Sequence, residues 1–251
     1  MAVDGRRFFK RERPNFALQY LRISLTAGKE GTWVFKKIYM ILEIPFIYRL
    51  AMLILVPGAN RLLKPVYNKF FNLQLGKVLD VGCGPSSGTT LPPQGWIVGV
   101  DINESYVRSF TGGFLDQDPQ LVLNPPADRR YLGYLSSADR LPFPDASFDE
   151  ARSRSFFHHM SDPEAAAVIR EMSRCIRPGG RIITFDVVWP RRAWTRPFAW
   201  LICRFDRGAY VRSESQTLKL FQETCPGHWT WERHTYSYTG LEYLWLQYEK
   251  K

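Results

Sequence analysis

Two glycines and two acids near the middle of the chain have the spacing of a nucleotide-type cofactor site. Residues 77–88 read KVLDVGCGPSSG, an apolar segment that runs into a turn containing Gly82 and Gly84. Residues 98–102 read VGVDI, a second apolar segment that ends at Asp101. Glycines let backbone N–H groups approach a ligand, and an acid about 20 residues further on can accept hydrogen bonds from a ribose diol. The pattern predicts a cofactor that contains a nucleoside.

The acid before the first glycine argues against a dinucleotide. Dinucleotide sites present three spaced glycines and a helix N-terminus to a pyrophosphate. Here the glycines are Gly82, Gly84 and Gly88, and Asp80 precedes them. A carboxylate at this position repels a pyrophosphate but suits the amino group of a methionine-like moiety.

Three later segments extend this pattern into a resemblance to a known family. The glycine stretch resembles the first motif of class I S-adenosylmethionine (SAM)-dependent methyltransferases. Residues 141–149 (LPFPDASFD), 157–160 (FHHM) and 176–183 (IRPGGRII) are similar to motifs of the ubiquinone/menaquinone-biosynthesis group, methyltransferase type 11. The resemblance covers roughly residues 66–190. It has two departures: Ser86 replaces the third glycine of the first motif, and Ser137 replaces the acid that faces the adenine amino group.

The resemblance implies a fold and a cofactor. The fold is a Rossmann-like doubly wound α/β sheet, mostly parallel with an antiparallel C-terminal hairpin strand, and the cofactor is SAM. Asp80 and the glycines would contact the methionine part, Asp101 the ribose hydroxyls and Ile102 the adenine. Because Ser137 stands in place of the acid, there are two alternatives for the adenine. The backbone near Ala138 would hold it, or Asp139 would replace the acid with a shifted register. The implied cofactor contacts are Asp80, Gly82, Cys83, Gly84, Asp101, Ile102, Ser137, Ala138 and Ser153.

The chemistry implied by the resemblance needs few catalytic groups. Methyl transfer from a sulfonium is an in-line displacement with an activated donor, so the protein mainly positions the acceptor and excludes water. A general base is needed only for an acceptor that is protonated at the working pH. His158 and His159 follow the predicted fourth strand and are candidates for a base or for orienting the acceptor. The alternative is that the pair packs or hydrogen-bonds locally.

Two arginines lie in the predicted fourth strand, which is otherwise expected to be buried. Strand alternation puts Arg152 and Arg154 on the same side, so at least one should reach the pocket or a carboxylate. Arg154, nearer the strand's end, is a candidate for binding an anionic group of the acceptor. A structural ion pair is the alternative.

Composition and charge limit the kinds of partner that the protein can have. The chain has 251 residues, a net charge of +10 and a pI near 9.6, which favours anionic partners: nucleic acid, acidic lipid or phosphorylated small molecules. The four cysteines are scattered, as expected for reduced thiols in a cytoplasmic protein. Cys225, His228 and His234 lack a fourth ligand at conventional spacing, so no metal is predicted.

Two apolar segments suggest a membrane surface. Residues 1–65 are expected to form a basic and apolar helical extension, and residues 66–251 a methyltransferase domain with a lid insertion at about 189–212. The stretch 38–56 is long enough to span a bilayer, but charges near its middle would each cost about 2.5–3.5 kcal/mol. We therefore weigh an interfacial helix against a cap over the pocket. The lid's arginines and tryptophans suit binding to lipid headgroups or to single-stranded nucleic acid. The alternative is an ordinary lid whose arginines are solvated.

These observations leave several functions open. The leading one is methyl transfer to a small-molecule or lipid acceptor that can be membrane-borne, by a protein expected in the cytoplasm or peripherally on the inner face of the membrane. Methylation of RNA or protein is the second, but the segment after the predicted fourth strand reads SRSFF rather than Asn/Asp-Pro-Pro-aromatic, so nucleic acid is disfavoured. The third is a non-catalytic SAM-binding protein, and a nicotinamide dehydrogenase is a distant fourth. The oligomeric state stays open.

Periodicity and turn residues predict the remaining elements. Strands are expected at 97–101, 130–135, 148–155 and 181–188, with a C-terminal hairpin over 229–238 and 241–248. A helix is expected over 163–175, capped by Asp162, and another ends at Thr224. The polar, proline-rich residues 116–130 are expected to form a surface loop.

Overall fold

A computed structural model describes residues 50, 53–72, 75–85, 94–116, 118–206 and 208–251. Most of the apolar stretch 38–56, the basic N-terminus and the residues after the glycine loop (86–93) lie outside this description. Helices cover α1 Ala59–Phe70, α2 Glu104–Thr111, α3 Pro119–Leu123, α4 Asp162–Cys175, α5 Pro197–Arg204 and α6 Glu214–Thr224. Strands cover β1 Leu75–Val81, β2 Gln94–Asp101, β3 Tyr131–Leu135, β4 Phe148–Arg154, β5 Ile176–Val188, β6 Trp229–Thr235 and β7 Glu242–Glu249. Short 3₁₀ turns lie at Phe157–His159 and Ala193–Thr195.

The strands form one sheet in the order β3-β2-β1-β4-β5-β7-β6. Strands β1 to β5 pair in parallel, and β7 pairs antiparallel with both β5 and β6. The predicted doubly wound sheet with an antiparallel hairpin is therefore confirmed. Because the strand order reverses at β1, the carboxyl ends of β1, β2 and β4 border the crevice where such sheets bind ligands.

Apolar side chains cover both faces of the sheet, as parallel strands require. Ile182 and Leu244 pack with α4 and α6 on one face, whereas Ile183 and Trp245 pack with α1 and α5 on the other. This alternation assigns each strand residue to a face. It places Asp80, between Leu79 and Val81, on the α1 face, because both neighbours belong to the opposite cluster.

Two local predictions were wrong. Residues 116–130 contain α3, because Asp118 accepts a hydrogen bond from the Gln120 amide and Pro119 is compatible with a first helical turn. Its Val122 is fully buried. Helix α4 is capped by Ser161 rather than Asp162, since the Ser161 amide donates to the Glu164 carboxylate at 2.8 Å.

The remaining elements follow the predicted positions with shifted ends. Strand β5 begins five residues earlier than expected, and its pairing with β4 jumps from Phe148↔Ile176 to Glu150↔Arg181 across the Pro178–Gly180 bend. The lid insertion contains α5 between β5 and α6. Among the residues described, no helix is long and apolar enough to cross a bilayer.

Candidate active site

The glycine loop closes the carboxyl end of β1 against β2. The amides of Gly82 and Cys83 both donate to the Val100 carbonyl, at 2.8 and 3.1 Å. Gly82 and Gly84 have φ values of +67° and +62°, a region that disfavours residues with a side chain. A Cβ at Gly82 would also clash with the ring of Phe156. The sequence therefore has glycine where the backbone must turn and where an aromatic ring packs against it.

Asp101 is held in a fixed orientation at the end of β2. One carboxylate oxygen accepts from the Gly84 amide at 3.1 Å, and the other accepts from the Asn103 amide at 2.9 Å. Asn103 itself caps α2 by accepting from the amides of Ser105 and Tyr106. The carboxylate expected to bind a ribose diol is thus tied directly to the glycine loop.

Asp80 lies next to an arginine in the adjoining strand. Arg154 Nη2 donates to Asp80 Oδ2 at 3.0 Å, and Asp80 is fully buried. Tyr67, on α1, is hydrogen-bonded to the same guanidinium. Burial acts to lower the pKa of Arg154, but Asp80, Tyr67 and Cys83 together outweigh burial and raise that pKa above its ordinary value. The ion pair expected as one alternative for Arg154 is present, and its partner is a predicted cofactor residue, while acceptor binding by Arg154 stays a prediction.

The contacts of Arg152 lie within the protein core. It is fully buried, pairs with Glu150 on its own strand and lies 4.3 Å over the ring of Phe71. Arg181 donates to the same Glu150 carboxylate at 2.6 Å. Because Phe71 adjoins the end of α1 and Tyr67 is in α1, both arginines of β4 face α1, as strand alternation predicts.

His158 sits between two carboxylates. Its Nδ1 contacts Asp186, its backbone amide donates to the other Asp186 oxygen at 2.9 Å, and its Nε2 lies 3.5 Å from Asp206. Burial alone would lower the pKa of His158, but Asp186 and Asp206 raise it to about 9. His158 is therefore a cation at neutral pH and donates hydrogen bonds, rather than accepting a proton as a base would.

His159 packs beside this group. Its ring centroid lies 4.0 Å from that of His158. Ligand atoms of His158, His159 and Asp206 lie within 4.8 Å of one another, a grouping that the sequence analysis did not anticipate. His234, weighed as a zinc ligand from sequence, contacts the Glu232 carboxylate.

The lid's C-terminal portion is fastened to the segment after β4. The Tyr210 amide donates to the His158 carbonyl at 3.0 Å. Arg212 donates to the carbonyls of Phe157 and Met160 at 2.8 and 2.7 Å. The same arginine pairs with Asp162, the residue expected to cap α4. The lid therefore begins at the end of β5 and returns to the segment that carries the two histidines.

The other predicted cofactor residues lie at the same edge of the sheet. Cys83 and Ser153 are buried at the ends of β1 and β4. Ile102 follows β2, and Ser137 and Ala138 follow β3; all three are half-buried. The Ser137 hydroxyl donates to Asp139, so the two candidates for the adenine edge are themselves in contact.

Sequence reasoning missed several residues that the fold brings to the site: Tyr67, Phe156, Asp186 and Asp206. Asp186 had a usable signal, because it is the only acid in the apolar strand β5. Tyr67 had none, since nothing in a helix sequence shows which strand residue its hydroxyl will meet.

Comparisons with known proteins place this site in a family. Residues 79–184 match the family model described as "Methyltransferase domain". The chain is 32% identical over 113 residues to the 27-O-demethylrifamycin SV methyltransferase of Amycolatopsis mediterranei, covering 44% of this chain and 38% of that protein. It is 33% identical over 121 residues to the ubiquinone/menaquinone biosynthesis C-methyltransferase UbiE of Burkholderia mallei, covering 45% of each. The matched region thus spans less than half the length of these relatives.

A solved structure supports the same fold. The geranyl diphosphate C-methyltransferase of Streptomyces coelicolor, solved with S-adenosyl-L-homocysteine, has a TM-score of 0.54 at 11% identity over 76% of this chain and 80% of that chain. Fold, site and comparisons together define a class I SAM-dependent methyltransferase domain. Residues 79–184 are similar to the methyltransferase type 11 group, whose enzymes use SAM as their cofactor.

The residues of the site fit this cofactor. The glycine turn leaves backbone close to the crevice: among the described residues, and apart from its chain neighbours, no atom lies within 4 Å of where a Cβ of Gly84 would be. Asp101 is oriented by two amides, as a carboxylate that binds two ribose hydroxyls should be. Individual cofactor contacts remain predictions from the resemblance.

The charge of His158 predicts a pH dependence of stability. The folded pKa of about 9 lies above the ordinary value of 6.5. The stability that His158 contributes is therefore fully present below about pH 6.5 and is lost as the pH rises through about 9. We expect the free energy of unfolding, measured with urea between pH 6 and pH 10, to fall more steeply for wild type than for His158→Asn. His159→Asn should keep the wild-type slope. Parallel curves for wild type and His158→Asn would contradict the assigned charge.

Proposed function

We propose that this protein transfers a methyl group from SAM to an apolar small-molecule or lipid acceptor. The observation that carries the proposal is Asp101, bound by the amides of Gly84 and Asn103 at the crevice edge of the sheet. SAM supplies the activated methyl group. The chain's residues bind the cofactor through Asp101 and the glycine loop, orient the acceptor and exclude water with the lid.

Hydroxyl groups beyond β4 suggest an uncharged acceptor. Ser155, with φ +50°, directly follows β4, and its hydroxyl is 2.5 Å from that of Tyr243. Tyr236 stacks on Tyr243 with ring centroids 3.6 Å apart. Burial raises the pKa of Tyr243, so its hydroxyl stays neutral. Both tyrosines are buried in the cluster on the α1 side of the sheet, so this end of β4 is neutral and apolar, as we propose for the side that receives the acceptor.

The relatives support a small molecule rather than a macromolecule. By their names, one acts on a demethylated rifamycin and another in quinone biosynthesis. We propose an acceptor of similar chemistry here. In this assignment His158, whose two ring nitrogens face Asp186 and Asp206, holds the segment after β4 in place, and His159 is the candidate base if the acceptor must lose a proton.

The outer surface of the lid supports an acceptor drawn from a membrane. Trp194 and Phe198 are 80% and 69% exposed, and Leu201 and Phe205 are also exposed. On the opposite side of α5, Ala199 is buried in the cluster that α1 and β7 share. An amphipathic helix that shows large apolar side chains to solvent is typical of a surface that docks on an apolar phase.

Neighbouring segments extend this apolar surface. The Tyr238 amide donates to the Pro57 carbonyl, and Arg196 Nη1 donates to the Gly240 carbonyl at 2.9 Å. The exposed side chains of Leu53, Ile54 and Tyr238 are thus on segments tied to each other and to the lid. The surface is therefore built from three parts of the chain.

The charge of the lid selects an anionic partner. Residues 189–212 contain six arginines and one acid, Asp206. Arg191 and Arg196 pair with Glu214 and Glu242, while Arg192 and Arg204 are exposed. Arginines beside tryptophan and phenylalanine suit the headgroup boundary of an anionic membrane. We therefore propose peripheral membrane association through the lid.

Cofactor binding provides the first test. Calorimetry should show S-adenosylhomocysteine binding, with NAD binding weakly or not at all. Asp101→Ala should weaken S-adenosylhomocysteine binding by about tenfold or more, because charged hydrogen bonds are worth about 1.5–3 kcal/mol each. Asp139→Ala, at the half-exposed adenine edge, serves as the comparison and should have a smaller effect. Tight NAD binding without S-adenosylhomocysteine binding would refute the assignment. Cofactor binding without turnover on any extracted lipid or quinone would favour the non-catalytic alternative.

Vesicle flotation tests the membrane proposal. Wild type should float with vesicles of phosphatidylglycerol and phosphatidylcholine and bind phosphatidylcholine alone more weakly, because each basic residue adds about 1 kcal/mol near an anionic surface. Trp194→Ser with Phe198→Ser should lower partitioning by about tenfold or more, since burying each side chain is worth roughly 1.5–3 kcal/mol.

The matched control is Trp231→Ser, which removes an exposed aromatic from the edge strand β6. It should float as wild type does. If wild type stays unbound at low salt, the lid is a simple cover. If it binds single-stranded nucleic acid in preference to vesicles, the surface is a stacking platform.

A further inference from the structure

The ion pair between β1 and β4 lies where the amino-acid end of the cofactor belongs. Asp80 precedes the glycine loop, and the family resemblance assigns it to the methionine moiety. In the β1–β4 pairing Asp80 is opposite Arg152 and Val81 opposite Ser153, so Arg154 is two residues nearer the carboxyl edge than Asp80. The guanidinium therefore lies on the crevice side of the carboxylate.

The exposure of the two side chains also indicates that Arg154 is the one nearer the crevice. Asp80 has no exposed side-chain surface, whereas 13% of the Arg154 side chain is exposed. Arg152 and Glu150, further along the same face of β4, are at most 1% exposed. Exposure thus increases along this face toward the crevice, and Arg154 is the charged group at its open end.

The two charges match those of an α-amino acid. Asp80 Oδ2 and Arg154 Nη2 are 3.0 Å apart, so a carboxylate and a guanidinium stand side by side. An α-amino acid likewise carries an ammonium and a carboxylate, both attached to its α-carbon. A guanidinium presents several donors in a planar fork that suits a carboxylate. The pair can therefore receive the ammonium at Asp80 and the carboxylate at Arg154.

We propose that Arg154 binds the α-carboxylate of the methionine moiety, with the Tyr67 hydroxyl holding its guanidinium in place. This rests on the proposed use of SAM, and it makes Arg154 a cofactor residue instead of an anchor for an anionic acceptor. Burial raises the pKa of Tyr67, so its hydroxyl is neutral and orients the guanidinium without changing the local charge. Arg154 then helps select a nucleoside that carries an intact amino acid.

Two ligands that differ only in the amino-acid part test this assignment. S-Adenosylhomocysteine has the α-carboxylate, and 5′-methylthioadenosine lacks the amino-acid group. Calorimetry on the full-length protein should show that Arg154→Met weakens binding of S-adenosylhomocysteine by about tenfold to a hundredfold. Binding of 5′-methylthioadenosine should change by about twofold at most, and so should binding of decarboxylated S-adenosylhomocysteine, which keeps the ammonium for Asp80 but lacks the carboxylate. Arg154→Lys should restore part of the loss, and Tyr67→Phe should give a smaller loss with the same ligand preference.

Arg152→Met is the matched control, since it removes a guanidinium from the same face of β4 away from the crevice. It should lower the unfolding temperature and leave the ratio of the two affinities as in wild type. An equal loss of both ligands in folded Arg154→Met would overturn the proposal in favour of a structural ion pair. If Arg154→Met does not fold, the affinities of Arg154→Lys for the two ligands are compared instead. A selective loss of S-adenosylhomocysteine supports the proposal, and an equal loss of both ligands overturns it.

Unchanged affinity for S-adenosylhomocysteine with a raised acceptor KM would overturn the proposal in favour of an acceptor site. Failure of the proposed function is distinguishable, because wild type would then bind neither nucleoside.

Discussion

Charged side chains inside the central sheet are the constraint on which the site depends. Glu150, Arg152 and Arg154 occupy successive inward positions of β4 on the α1 face, and Asp80 meets them from β1. A buried charge is tolerated only with a partner, because removing one member leaves the other desolvated and unpaired. The register of β1 on β4 and the position of α1 must therefore satisfy these pairs together. The same pairs hold the residues beside the glycine loop in place.

Helix α1 has a role beyond covering the sheet. Phe70 and Phe71, at its end, pack with Trp245 of β7, and Phe71 lies under Arg152. Tyr67 of the same helix contacts Trp245 and binds Arg154. One helix thus ties the antiparallel hairpin to the cofactor edge. A change in the packing of α1 would shift the guanidinium of Arg154, which is the group that contacts Asp80.

The lid connects the acceptor side to the surface of the molecule. Its C-terminal portion is fastened to the His158 segment by backbone and Arg212 hydrogen bonds, and Asp206 adds an ionic contact. Its outer side carries Trp194 and Phe198. In the proposed function, the part of the chain that meets the membrane is continuous with the part that contacts the histidines. An apolar acceptor would then move from the bilayer to the site beneath a single element.

The sequence by itself determined the fold class, the cofactor class and the location of the glycine loop and Asp101. These depend on local signals: apolar strands, glycines at positive φ, and an acid at a set distance along the chain. It also indicated that Arg152 and Arg154 share a face, because strand alternation has a period of two. The sequence did not predict short capped elements such as α3, because the capping pair Asp118–Gln120 lies in a polar, proline-rich stretch that is typical of a loop.

Only the tertiary structure decided which charges meet. Asp80 and Arg154 are far apart in sequence, as are His158 and Asp206, and each pairing depends on strand register and on the path of the lid. Those pairings change the chemistry of the residues: the carboxylates raise the pKa of His158 to about 9, and Arg154 lies against the buried Asp80. Composition and spacing cannot supply this, because electrostatic contacts depend on distance in space and on burial, and both are set only when the sheet is assembled.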